Sequence, residues 1–209
     1  MVRMRVLIQV ETGMEKLTEI AVKIGASSAK IIDVKDVVVD ERVRLKCAVP
    51  RCHGYGNCLV CPPHTMSVPE FREILKRYKK ALVVQIESHL NSLDKSENSG
   101  LSDPKLIKEQ MDLHRPIRMK FNDLMNNIEK EAFKLGFPFA AAFGAGKCDL
   151  CGEAGCLGMA DGICRHPFSA RPAMEGMGID VTKTALNAGL SVELSSATSV
   201  KYTGLMLLE

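Results

Sequence analysis

The sequence predicts an α/β fold, a mixed sheet with flanking helices, from three observations. Short β-branched runs alternate with segments whose apolar residues recur at steps of three and four. Glycine and proline punctuate the joins between them. A chain of 209 residues with 46% hydrophobic content can also bury one good core. One domain, residues 1–209, is therefore expected.

Taken in order, residues 5–10 are β-rich and read as an opening strand. Residues 15–24 read as a helix, with Leu17, Ile20, Ala21 and Ile24 on one face and Gly25 ending it. Two short β-branched runs follow at 29–33 and 37–40. A first cysteine loop, 47–63, closes on Pro62 and Pro63. Ser67 is placed to cap a helix running to residue 77, with Pro69 in its first turn and Phe71, Ile74, Leu75 and Tyr78 on one face. A buried strand is expected at 81–87, then an exposed polar excursion at 88–103.

The clearest helical pattern is 104–135, where Leu113, Ile117, Phe121, Leu124, Ile128, Ala132 and Leu135 repeat at steps of three and four. Pro116 is expected to break or kink it. Residues 139–143 read as another strand, running into a second cysteine loop at 148–168. Asp180 is placed to cap a helix at 181–188, and 192–194 and 205–208 read as closing strands. Strand, cysteine loop, helix and strand thus occur twice. Because ligands of open α/β sheets gather outside the carboxyl ends of strands, both loops are expected at one edge of the sheet, close together.

All eight cysteines fall in those two loops: Cys47, Cys52, Cys58 and Cys61 as C-x4-C-x5-C-x2-C, then Cys148, Cys151, Cys156 and Cys164 as C-x2-C-x4-C-x7-C. Four thiols so near in sequence must come together in space, which is enough thiolate for two complete metal sites. Disulfides do not fit the context. The N-terminal apolar run is broken at Gln9 and stopped at Glu11, too early for a signal-peptide core, so a reducing cytoplasmic setting is expected. The longest apolar stretch, 137–145, is well short of the roughly 20 residues that cross a bilayer.

Two metal chemistries remain. Structural zinc joins two short C-x2-C knuckles, here Cys58/Cys61 and Cys148/Cys151, and would leave Cys47, Cys52, Cys156 and Cys164 without a role. A [4Fe–4S] cubane is larger and takes sulfurs splayed over separate irons, so irregular spacings suit it, as does the proline after Cys61. Two cubanes are the favoured reading. In ferredoxins the fourth ligand can cross to the other cluster, so the pairing of ligands need not follow the sequence groups.

The formal charge of +3 would fall to about −1 with two oxidised cubanes, each near −2, so the mildly basic chain offers no evidence for nucleic-acid binding. With three Tyr and no Trp, a stacking platform for single strands is not expected either. Lys46, Arg51, Lys147 and Arg165 flank the ligands and could offset cluster charge. Glycines in both loops allow tight turns that aim N–H groups at sulfur. Gly144, Gly146 and Lys147 suggest a phosphate loop, but the leading glycine is missing and Cys148 stands where Ser or Thr would hold Mg²⁺, which excludes an ATPase of that type. His53, His64 and His166 are placed for hydrogen bonds to ligands or proton transfer, and His89 and His114 for surface or helix positions.

Three segments carry a family resemblance: C-x4-C-H-G-Y-G-N-C-L-V-C-P-P from Cys47, G-K-C-D-L-C from Gly146, and C-R-H-P-F-S-A-R-P-A-M-E-G-M-G-I-D-V from Cys164. Together they resemble a family of cysteine-rich predicted metal-binding proteins of unknown function, found largely in methanogens and other anaerobes. The resemblance covers the chain from about Val37 onward. It implies metal binding, iron–sulfur in character, in an anaerobic cytoplasm, and it supplies no reaction.

The expected function is one-electron transfer in an anaerobic redox system, with a redox partner such as a ferredoxin or a reductase. Two alternatives stand beside it. One is a cluster-dependent reductase in which Arg165 and Arg171 hold a small anionic substrate or cofactor. The other is a zinc-stabilised interaction protein.

Overall fold

The computed structural model describes residues 2–89, 104–192 and 199–209. In chain order it contains α1 (Val2–Lys23), β1 (Ser28–Asp33), α2 (Glu41–Ala48), α3 (Val68–Leu75), β2 (Lys80–His89), α4 (Pro104–Lys134), β3 (Ala141–Phe143), α5 (Val181–Asn187) and β4 (Ser199–Leu208). The strands form one four-stranded sheet in the order β1-β2-β4-β3. All three pairings are antiparallel, and among the described residues the one parallel contact is an isolated bridge between Gly144 and Ala173. The α/β class holds.

Alternation along the strands divides the core in two. Leu82, Val84 and Ile86 of β2 join Met206 and Leu208 of β4 beneath α1 and α4, which supply Leu17, Ala21, Phe121, Met125 and Ile128. On the other face Ala81, Val83, Leu205 and Leu207 pack with Phe71 of α3, Ala185 of α5, and Met174, Met177 and Ile179. Phe71 meets Phe143 edge to face, with ring centroids 5.4 Å apart.

Two expected caps are present. Ser67 and Glu70 form a reciprocal capping box at the start of α3. The Asp180 carboxylate accepts from the Lys183 N–H at 3.0 Å at the start of α5. Strands 29–33, 81–87 and 205–208 fall inside β1, β2 and β4, and 139–143 shortens to β3.

Several expectations are corrected. The opening strand at 5–10 is instead the first part of α1, which runs unbroken to Lys23. Gly13, inside this helix, is a packing site: a Cβ there would sit 3.2 Å from the Phe137 ring. With no proline or turn to stop it, helix propagation outweighs the local β preference of Val6, Leu7 and Ile8. Residues 37–40 form no strand beyond a bridge from Val39 to Ile179. Asp40 instead caps α2, accepting from the Arg42 N–H at 2.9 Å.

Pro116 lies inside α4 without ending it. The excursion at 88–103 also shifts, because Ser88 and His89 end β2. The rest of that excursion, 90–103, and residues 193 and 194 of an expected strand lie outside the described residues. Val192 has no regular structure. Finally, the cysteine segments do not leave parallel strands in a common direction. The first follows helix α2 and the second follows β3.

Candidate metal centre

Cys47 sits in the last turn of α2, and the chain then folds back through a series of tight turns. The Cys52 N–H donates to the Cys47 carbonyl at 2.9 Å, Tyr55 to Cys52 at 3.0 Å, Gly56 to Pro62 at 2.8 Å and Cys61 to Cys58 at 3.0 Å. Gly56 holds φ +72°, the left-handed region that favours glycine. Gly54 is required for another reason. A Cβ on it would lie 2.9 Å from the Cys61 sulfur and 3.1 Å from the Lys147 Cβ, so its bareness lets the two cysteine segments approach.

The second segment is anchored to α4. As the chain leaves β3, the Asn122 amide accepts from the Ala145 N–H at 3.2 Å and donates to the Ala145 carbonyl at 3.4 Å. A Cβ at Gly144 would overlap that same amide. Two residues before Cys151, Asp149 is buried between two cations: Arg118 Nε donates to Oδ2 at 2.8 Å and Lys147 Nζ contacts Oδ1. Burial pushes the Asp149 carboxyl up, but the hydrogen bonds and charge of Lys147 and Arg118 outweigh this and hold it below its ordinary value. The cysteines of G-K-C-D-L-C are thus fixed to the helix by an ion-pair network.

The two segments meet at Cys58. It is 4% exposed, and it lines one cavity together with Cys148, Cys151, Cys156, Cys164 and His166. Cys148 and Cys61 are the neighbours that act most on its sulfur, with the backbone N–H groups of Val60 and Cys148 beside them. They draw the Cys58 thiol far below its ordinary value. The same contacts, with burial, push Cys61 and Cys148 up as the donors. Cys61 also feels the charge of Cys52 and Cys47, which places those three near one another. Burial raises Cys47, with Cys52 and Glu175 adding to the effect.

Backbone donors reach other sulfurs too. The His166 N–H donates to Cys164 Sγ at 3.3 Å, and the Leu150 N–H points at Cys148. This is the N–H to sulfur pattern expected of the glycine-rich loops. All eight cysteines are free thiols. Among the described residues, no three His, Cys, Asp or Glu side chains stand at the spacing of a single-ion site. Five of the cysteines, Cys58, Cys148, Cys151, Cys156 and Cys164, share the walls of a cavity rather than one point. A donor set of thiols alone, gathered from both segments and served by backbone N–H groups, fits a thiolate-bound metal group.

Both expected ligand-holding arginines already have carboxylate partners. Arg165 pairs with Asp161 at 2.7 Å in a half-exposed contact. Arg171 donates from Nε to Glu129 Oε2 at 2.9 Å and from Nη1 to the Ala170 carbonyl at 3.0 Å, and Nη2 also meets Glu129. Glu175 has no ion pair among the described residues; burial raises its carboxyl, and Lys46 draws it part of the way back. His53 and His64 are exposed, while His166 lines the cavity. His114 lies on α4 with Nδ1 3.4 Å from the Tyr202 hydroxyl, and His89 ends β2. Sequence reasoning missed Arg118, Asn122 and Asp149. Only Asp149 left a trace, as the acid inside G-K-C-D-L-C.

Among the described residues no helix is long and apolar enough to cross a membrane. No curated protein and no solved structure matches the chain. A family model described as "Predicted metal-binding protein (DUF2284)" matches residues 30–208, which include every cysteine, and the chain belongs to that family.

Proposed function

We propose that this protein carries two [4Fe–4S] clusters on its eight cysteines and serves one-electron transfer in an anaerobic redox system. The observation that carries this reading is the single cavity lined by Cys58 and all four cysteines of the second segment. Cys47, Cys52 and Cys61 are grouped beside it. When bound, such clusters each accept and release one electron, at a potential set by hydrogen bonds to sulfur and by solvent exposure.

The chain's own part is to hold and tune. The N–H groups of Val60, Cys148, Leu150 and His166 aim at sulfur and stabilise negative charge there. Arg118 and Lys147 add fixed positive charge one residue from Cys148, partly neutralised by Asp149. Cys58, in contact with both Cys61 and Cys148, joins the two cysteine groups through sulfur, which favours passage of charge between them. The partner on this reading is a redox protein such as a ferredoxin or reductase.

A second reading draws on the same contact. Cys58, Cys61, Cys148 and Cys151 are the two C-x2-C knuckles of a single zinc site, and Cys58 touches one member of each. Against it, Cys156 and Cys164 share the cavity and would go unused. Reductive titration separates the two. Anaerobically purified protein should bleach on adding dithionite and develop a half-integer paramagnetic signal, taking up about two electrons per chain. A protein that takes up none and contains zinc is the second reading.

A further inference from the structure

A second cavity, of about 380 Å³, lies directly behind the cysteine cage. Leu59 and Val60, the two residues between Cys58 and Cys61, line both cavities, so the wall between them is one dipeptide thick. Phe71, Phe143, Tyr78 and Met177 supply much of the remaining surface, on the α3 side of the sheet. The volume lies within the range of about 300–1,000 Å³ typical of small-molecule sites, near its lower end, which suits a ligand of a few rings at most.

The polar groups on its surface decide the ligand's chemistry, because each is already occupied. Thr65 Oγ1 donates to the Gly176 carbonyl at 3.1 Å, and the Tyr78 hydroxyl donates to the Phe139 carbonyl at 2.8 Å. Every nitrogen of Arg171 donates to a protein oxygen. Its partner Glu129 also accepts the Ala142 N–H at 2.9 Å through Oε1. An anion entering here would have to break the Arg171–Glu129 pair and leave a half-buried carboxylate without its cation. A neutral apolar ring would displace water from apolar walls and cost no existing hydrogen bond.

We infer that this cavity is a binding site for a neutral, ring-bearing apolar small molecule, held against the outer wall of the cysteine cage. The inference deepens the proposed function, since it gives the carrier a small-molecule partner within one dipeptide of its cysteines. Binding itself does not depend on which metal the cysteines hold.

The test uses two probes with one ring framework, N-phenyl-1-naphthylamine, which is neutral, and 1-anilinonaphthalene-8-sulfonate, which is an anion. Equilibrium dialysis against the anaerobically purified full chain should show one saturable site for the neutral probe, at least tenfold tighter than for the sulfonate. Ala141→Phe, which fills the cavity from β3, should weaken that site at least tenfold. Met66→Trp, at a lining residue that is itself 41% exposed, should do the same without touching the core. No saturable binding of the neutral probe, equal affinity for the sulfonate, or unchanged affinity in a folded Met66→Trp protein would each overturn the inference. Iron content measured on the same samples reads the cysteine cages, so the two ideas fail separately.

Discussion

Cys58 and Cys148, one from each cysteine segment, are neighbours in the wall of one cavity. On the proposed reading, that proximity ranks the cysteines by consequence. Cys151→Ser should remove about four of about eight irons and leave the first group loaded. Cys58→Ser should remove more, because Cys58 touches Cys61 as well as Cys148. Iron analysis of the two variants side by side checks the order. Equal losses would mean that Cys58 serves one group alone.

Arg118 and Asp149 are 10% and 3% exposed at their side chains, so their ion pair is buried. Asp149→Asn leaves Arg118 and Lys147 without their counter-charge. Removing one partner of a buried pair costs about 3 kcal/mol, which denaturant unfolding should resolve easily. A loss below about 1 kcal/mol would place this pair with ordinary surface contacts.

The same pair gives a pH dependence. Asp149 has a folded-state pKa below its ordinary 3.8, so the unfolded chain binds the proton first as pH falls. Its contribution is therefore complete above about pH 5 and is lost as pH drops through the folded value, below 3.8. The stability gap between the natural protein and Asp149→Asn should close on acidification from pH 5 toward 3. A gap that widened there would contradict the assignment of this carboxylate as the paired group.

Ser67 provides a control remote from sulfur. Its hydroxyl accepts from the Glu70 N–H at 3.3 Å, and the Glu70 carboxylate accepts from the Ser67 N–H at 2.8 Å. Ser67→Ala should cost about 1 kcal/mol in thermal or denaturant unfolding and leave metal content unchanged. Gly54→Ala should do the reverse in kind, lowering metal content because its methyl meets the Cys61 sulfur and Lys147.

These residues also show what could be read from the chain. Ser67 and Asp180 were legible because a cap is a local contest between a side chain and the next few N–H groups. The long helix, now Pro104–Lys134, was legible because its apolar stripe repeats over many turns. The cysteine groups were legible as donors because eight thiols in two runs have few other uses. The opening helix was not, because Val6, Leu7 and Ile8 suit a strand as well as a helix and Gly13 serves a contact with Phe137 far along the chain. Nor could the partnership of Arg118 with Asp149 be read, since it depends on how α4 lies against the second segment. The antiparallel strand order is a tertiary outcome of the same kind.

The central claim is that thiolates from both segments hold two iron–sulfur clusters. Iron and acid-labile sulfide, measured on protein purified without oxygen, test it most directly. The account predicts about eight of each per chain. Protein that is free of iron and holds zinc instead would contradict it.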